Sequence, residues 1–135
     1  MRFKDICEIW RLKERAAEVA AHDAAHAEAQ RTAAERALSD YEGRIGQEVQ
    51  EAQILGTFAP VALWYPAAEG RLRNLRSGVA RTAAEAARAH QSLKAARLEA
   101  ERLDAVRDQL RSARRRAEVR REQKELDEMA LRRRR

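Results

Sequence analysis

The stretch GTFAPVALWYPAAEG, Gly56–Gly70, interrupts a chain otherwise dominated by Ala, Arg, Glu, Leu and Gln, all strong helix formers. Pro60 and Pro66 each lack a backbone donor and crowd the turn before them. The residues ahead of them are pushed toward extended backbone. Gly56 and Gly70 bracket the stretch. This reading makes the chain all-α, with arm one at about 3–56, an apolar hinge at about 57–70 and arm two at about 71–133.

Working outward from the hinge, each arm carries a heptad seam. Steps of three and four from Phe3 land on Ile6, Trp10, Lys13, Ala17, Ala20, Ala24, Ala27, Arg31, Ala34, Leu38, Tyr41, Ile45, Glu48, Ala52 and Leu55, nearly all apolar. A seam this long argues for a coiled coil rather than a globular helix. Arm two runs through Leu72, Leu75, Val79, Thr82, Ala86, Ala89, Leu93, Ala96, Ala100 and Leu103. It then slips by a 3–3 step to Val106, Leu110, Ala113 and Ala117, the pattern of a stammer. The predicted fold is a long antiparallel two-helix coiled-coil hairpin. With its turn near residue 63, paired positions sum to about 126, His90 faces about residue 36, and about a dozen residues from Gln123 on project past arm one.

Composition limits the function. Charged residues make up 37% of the 135 residues and aromatics 4%, so the chain is suited to burying a narrow seam and not a thick core. A paired-helix rod has almost no cleft, which argues against an enzyme. No segment approaches a membrane span, no signal-peptide run opens the chain, and the lone Cys7 fits a reducing compartment. The reading is a cytoplasmic, soluble protein. Its net charge of +6 is uneven: residues 1–60 hold 8 basic and 11 acidic side chains, residues 111–135 hold 11 and 5. An acidic or polyanionic partner is expected at the C-terminal end.

His22 and His26 in "HDAAH" imitate a zinc-binding pair, but a catalytic zinc needs a third protein ligand and both fall on the solvent side. No metal and no cofactor is expected. Cys7, beside the seam, reads as a small buried hydrophobe. Thr57 to Ala68 carries no charge, and this part of the hinge, with Phe58, Val61, Leu63, Trp64 and Tyr65, reads as a contact surface that Leu72 and Leu75 extend. The basic end admits nucleic acid, for which it has the charge density, or an anionic lipid surface. It also suits a protein socket, because Glu118, Glu122, Glu125, Asp127 and Glu128 interrupt the basic run while Val119, Leu126, Met129 and Ala130 supply apolar points. A nucleic-acid-binding coiled coil is the alternative function.

The segment EQKELDEMALRR, Glu122–Arg133, at the end of a two-helix coil resembles the flagellar export protein FliJ family and, less closely, the YscO-like stalk proteins of virulence-type secretion. The opening RFKDICEIWRLKERAAEVA, Arg2–Ala20, is similar to it too. The resemblance implies a small antiparallel coiled coil like the central stalk of rotary ATPases, with no catalytic activity. It implies partners in the flagellar export ATPase hexamer, the membrane export gate and the export chaperones, with no nucleic acid and only a peripheral place at the inner membrane. Carried over by position, the ATPase-facing residues are Gln123, Lys124, Leu126, Asp127, Glu128, Met129 and Ala130. Phe3, Ile6 and Trp10 are the accompanying seam of arm one. Trp64, Tyr65, Leu72 and Leu75 are the gate-facing candidates, taken from the apolar hinge. The terminal run Arg132–Arg135 departs from the family pattern and is assigned no family role.

Overall fold

The structure, a computed structural model, describes residues 2–135. Two helices account for nearly all of them: α1, Phe3–Leu55, and α2, Phe58–Arg133. They pair antiparallel, as the heptad reading requires.

The ends of α1 explain its length. Asp5 Oδ2 accepts from the Arg2 backbone N–H at 3.2 Å, while the Arg2 carbonyl accepts from the N–H groups of Asp5 and Ile6. This is half of a capping box, and it places a carboxylate at the positive helix end. At the other end the Thr57 N–H donates to the Ala52 carbonyl at 3.0 Å and the Gly56 N–H to the Gln53 carbonyl at 3.4 Å. With Gly56 at φ +66°, this is a Schellman stop.

The turn is therefore Gly56–Thr57, and the expected hinge at 57–70 is corrected: Phe58–Gly70 is helical. Thr57 is a favourable residue to precede a helix. Pro60 lies in the first turn of α2, where its missing donor would have had no partner in any case. Pro66 sits inside the helix and leaves the Ala62 carbonyl without its usual donor. The helix continues because residues on both sides of Pro66 are held by packing: Val61 and Trp64 are half-buried and Ala68 is 4% exposed.

The earlier turn shifts the register. His90, expected opposite residue 36, lies 3.3 Å from Glu28. The chain forms two compact units. In one, the start of α1 to Glu18 packs on Lys94–Arg135, with Lys13 paired to Glu99 at 2.8 Å, Arg107 over Trp10 and Arg114 over Phe3. In the other, Val19–Leu93, Arg76 meets Glu42 at 3.6 Å and Arg71 covers Tyr41.

The seam follows the sequence reading in most of its length. From Phe3 to Ile45 every expected α1 position is buried or half-buried. Glu48 and Leu55 depart from it. Glu48 is exposed and Val49 takes the seam position; Leu55 is 74% exposed because α1 ends there. The α1 spacing becomes Leu38, Tyr41, Ile45, Val49, and α2 shows the same 3–4–4 spacing at Val61, Trp64, Ala68, Leu72. An 11-residue repeat unwinds a left-handed supercoil, and the two helices carry it together. The core is thin. Ala24, Ala86 and Ala68 are among the best-buried residues, and among the described residues no large side chain is fully buried. Thr82 is tolerated inside because its hydroxyl donates back to the Gly78 and Val79 carbonyls, at 2.9 and 3.0 Å.

The stammer expected after Leu103 is absent. The heptad runs on through Arg107 and Leu110, both half-buried, and Val106 is 41% exposed. Counting only apolar residues misplaced the seam by one position, because an arginine occupies it.

Candidate functional site: the unpaired end of α2

Arg107 lies near the end of the paired part of the first unit. Its guanidinium lies 3.9 Å from the Trp10 ring centroid, and Asp104 holds it at 2.7 Å. Its side chain is 17% exposed, and Nε has no hydrogen-bond partner. Arg is suited to this place because its flat cation stacks on an aromatic face while its edge reaches a carboxylate.

One heptad further, Arg114 reaches the Phe3 ring, 5.9 Å from its centroid. As α1 begins at Phe3, the rest of α2 runs on without a partner helix among the described residues, and every residue from Arg111 to Arg135 is exposed. The unpaired segment is longer than the expected dozen residues, a direct result of the earlier turn. It holds its helix through its own spacing. Arg114 pairs with Glu118 at 3.6 Å, and the Gln123 side-chain amide donates to Asp127 at 3.1 Å. Such i,i+4 contacts each add a few tenths of a kcal/mol, about 0.2–0.5. Arg132 and Arg133 occupy the last turn, where positive charge suits the helix dipole.

The structure brings part of the expected ATPase-facing set together. Leu126, Met129 and Ala130 line one shallow groove with Arg133 and Arg134, and Leu126 and Met129 are 56% and 52% exposed. Gln123 and Asp127 engage each other along the helix. Lys124 and Glu128 continue the phase of the seam and are exposed. Phe3, Ile6 and Trp10 are placed differently: all three face α2, Ile6 at 7% exposure, with Phe3 and Trp10 covered by arginines.

In the second unit the gate-facing candidates split. Trp64, Leu72 and Leu75 are half-buried on the seam. Tyr65, its ring 6.2 Å from that of Trp64, shares a shallow surface groove with Leu72, Glu69, Arg73 and Arg76. Sequence reasoning missed Ile54 and Leu55, which stand exposed with Phe58 and Leu63 around the turn. The Schellman signal at Gly56 was available to find them.

Among the described residues no group of three or more metal-ligating side chains converges. His22 and His26 are exposed, the latter bonded to Gln30. Cys7 is half-buried and free. Among the described residues no helix is long and apolar enough to cross a membrane.

Fold and site together define an all-α coiled-coil hairpin with one unpaired, basic helical end. A family model described as "Flagellar FliJ protein" matches residues 65–135, just over half of the sequence, and the chain belongs to that family. It is thereby a component of flagellar protein export, a type III secretion process. The match covers Tyr65, Leu72, Leu75 and the whole unpaired end. No curated protein and no solved structure gives a match.

Proposed function

We propose that the protein is the non-catalytic central stalk of the flagellar export apparatus. In this reading the unpaired end of α2 enters the ring of the export ATPase. The residues near the turn meet the membrane export gate, and the chain also handles export chaperones. It works in the cytoplasm, peripherally at the inner membrane.

The observation that carries the reading is the exposed helical end bearing the Glu122–Arg133 pattern, inside the region matched by the family. An exposed helix with apolar points between charges is suited to a partly polar socket. Gln123, Lys124, Leu126, Asp127, Glu128, Met129 and Ala130 are its contact residues. Phe3, Ile6 and Trp10 anchor α1 against the root of that end, and the half-buried Phe3 and Trp10 contribute their exposed edges. Toward the gate, Tyr65 provides the outward surface with the accessible edge of Leu72, and Trp64 and Leu75 support it from the seam.

The test is stimulation of the purified export ATPase. The full chain is expected to raise the hydrolysis rate, and a chain lacking residues 122–131 to leave it at the basal value. Undiminished stimulation by the shortened chain defeats the assignment.

A further inference from the structure

Beyond Arg114 the seam of α2 dissolves. The positions that continue it are Arg114, Ala117, Arg121, Lys124, Glu128 and Leu131, four of them charged. This side of the helix does not ask for a second helix of the α1 kind, nor for another copy of the chain continuing the coil.

The opposite side is different. At ~100° per residue, Val119, Leu126 and Ala130 lie about half a revolution from Leu110, on the back of the helix. Arg115, Val119, Gln123, Leu126, Ala130 and Arg133 follow one another along it at steps of three and four, with Arg116 beside Val119. Not one of them is acidic. The five carboxylates of the segment, at Glu118, Glu122, Glu125, Asp127 and Glu128, fall on the flanks or on the seam side. The surface itself groups these residues. Val119 lies in a shallow groove with Ala113, Arg115, Arg116 and Arg120, and Leu126 and Ala130 in one with Met129, Arg133 and Arg134. Both grooves have an apolar floor and arginine walls. Val119 and Leu126 are 63% and 56% exposed.

We infer that the unpaired end is read from its back. The side of α2 turned away from α1 is the docking face, and its occupant is a protein groove with an apolar floor and carboxylates along its edges. Arginine walls around an apolar stripe are complementary to that chemistry, since a guanidinium binds a carboxylate in a planar, two-pronged contact. The acid-free face also avoids the like-charge contacts that the flanks would impose on such a partner. The inference rests on the proposal that the export ATPase receives this end, and it narrows the contact residues proposed there: Gln123, Leu126 and Ala130 meet the ATPase, while Lys124 and Glu128 on the seam side and Asp127 and Met129 on the flanks lie outside the docking face.

The test uses full-length chains at fixed salt. Arg116→Glu/Arg133→Glu reverses two charges on the back. Arg121→Glu/Arg132→Glu makes the same net change on the seam side. Both pairs lie on exposed helix, and far-UV circular dichroism checks that each retains the wild-type helix content. The concentration giving half-maximal ATPase stimulation is expected to rise at least about tenfold for the back pair and less than about twofold for the seam-side pair. Leu126→Gln is expected to weaken stimulation without any change of charge. Equal losses from both charge pairs overturn the choice of face while leaving the ATPase reading intact. Unchanged stimulation by the chain lacking residues 122–131 overturns both. A duplex DNA that binds wild type but not the back pair, while the back pair stimulates the ATPase normally, makes the occupant nucleic acid and refutes the inference.

Discussion

Arg107→Ala probes the stacked contact near the end of the paired region. The guanidinium sits 3.9 Å from the Trp10 centroid, and its loss removes a cation–π contact worth about 0.5–2 kcal/mol. It also removes a helix-spaced ion pair with Asp104, about 0.3 kcal/mol, and the packing of one or two methylenes at about 0.8 kcal/mol each. Against this, the variant releases about 1 kcal/mol of side-chain entropy and relieves the unpartnered Nε, about 1 kcal/mol. The net expectation is a loss of about 1 kcal/mol. Arg107→Leu keeps apolar contact with Trp10 and removes a poorly solvated charge, so it should fall within about 1 kcal/mol of wild type. Urea unfolding followed by circular dichroism measures both, and Trp64→Phe leaves Trp10 as the sole indole reporter. The decisive quantity is the double-mutant cycle of Arg107→Ala with Trp10→Ala, where a coupling near 1 kcal/mol is expected. Additivity within about 0.3 kcal/mol refutes the claim that the two side chains act as one contact.

Gly56→Ala should cost about 1–2 kcal/mol in urea unfolding. The site has open space around it, and only the backbone at φ +66° resists a side chain; an unchanged midpoint contradicts the Schellman stop. Pro66→Ala should stabilise by about 1–3 kcal/mol, by restoring a helical hydrogen bond to Ala62. Amide exchange should show new protection at residue 66, and its absence means that the helix is not continuous there. Lys13, 2.8 Å from Glu99, holds that carboxyl below its usual range through a hydrogen bond and its charge. The pair's small contribution is present above the unfolded carboxylate's titration and is lost as pH falls through the lowered folded value. The stability difference between wild type and Lys13→Met should therefore narrow from about pH 7 to about pH 3 in urea melts. A difference that persists at the acidic end assigns the contact to packing.

The helices and their antiparallel pairing were legible because period-3.5 burial leaves a direct mark. Phe3, Ile6, Trp10 and the alanine run that follows lie on the seam as read. Two features were not legible by counting apolar residues. Arg107 occupies a seam position by stacking on Trp10, so its partner across the hairpin, and not its own hydropathy, places it there. The turn lies earlier than Pro60 and Pro66 suggest, because neither proline breaks α2. A proline in the first turn of a helix costs little, and the one at Pro66 is overridden by packing around Trp64 and Ala68. Gly56 followed by Thr57, a helix stop next to a helix start, was the stronger signal. The C-terminal motif was found by its resemblance. Which side of it is acid-free emerged only once the register of α2 was known.

Replacing Leu126 with a photoreactive amino acid in cells assembling flagella tests the central claim most directly. The account predicts that the dominant adduct on irradiation joins this chain to the export ATPase. Adducts with other proteins or with nucleic acid, and none with the ATPase, would contradict it.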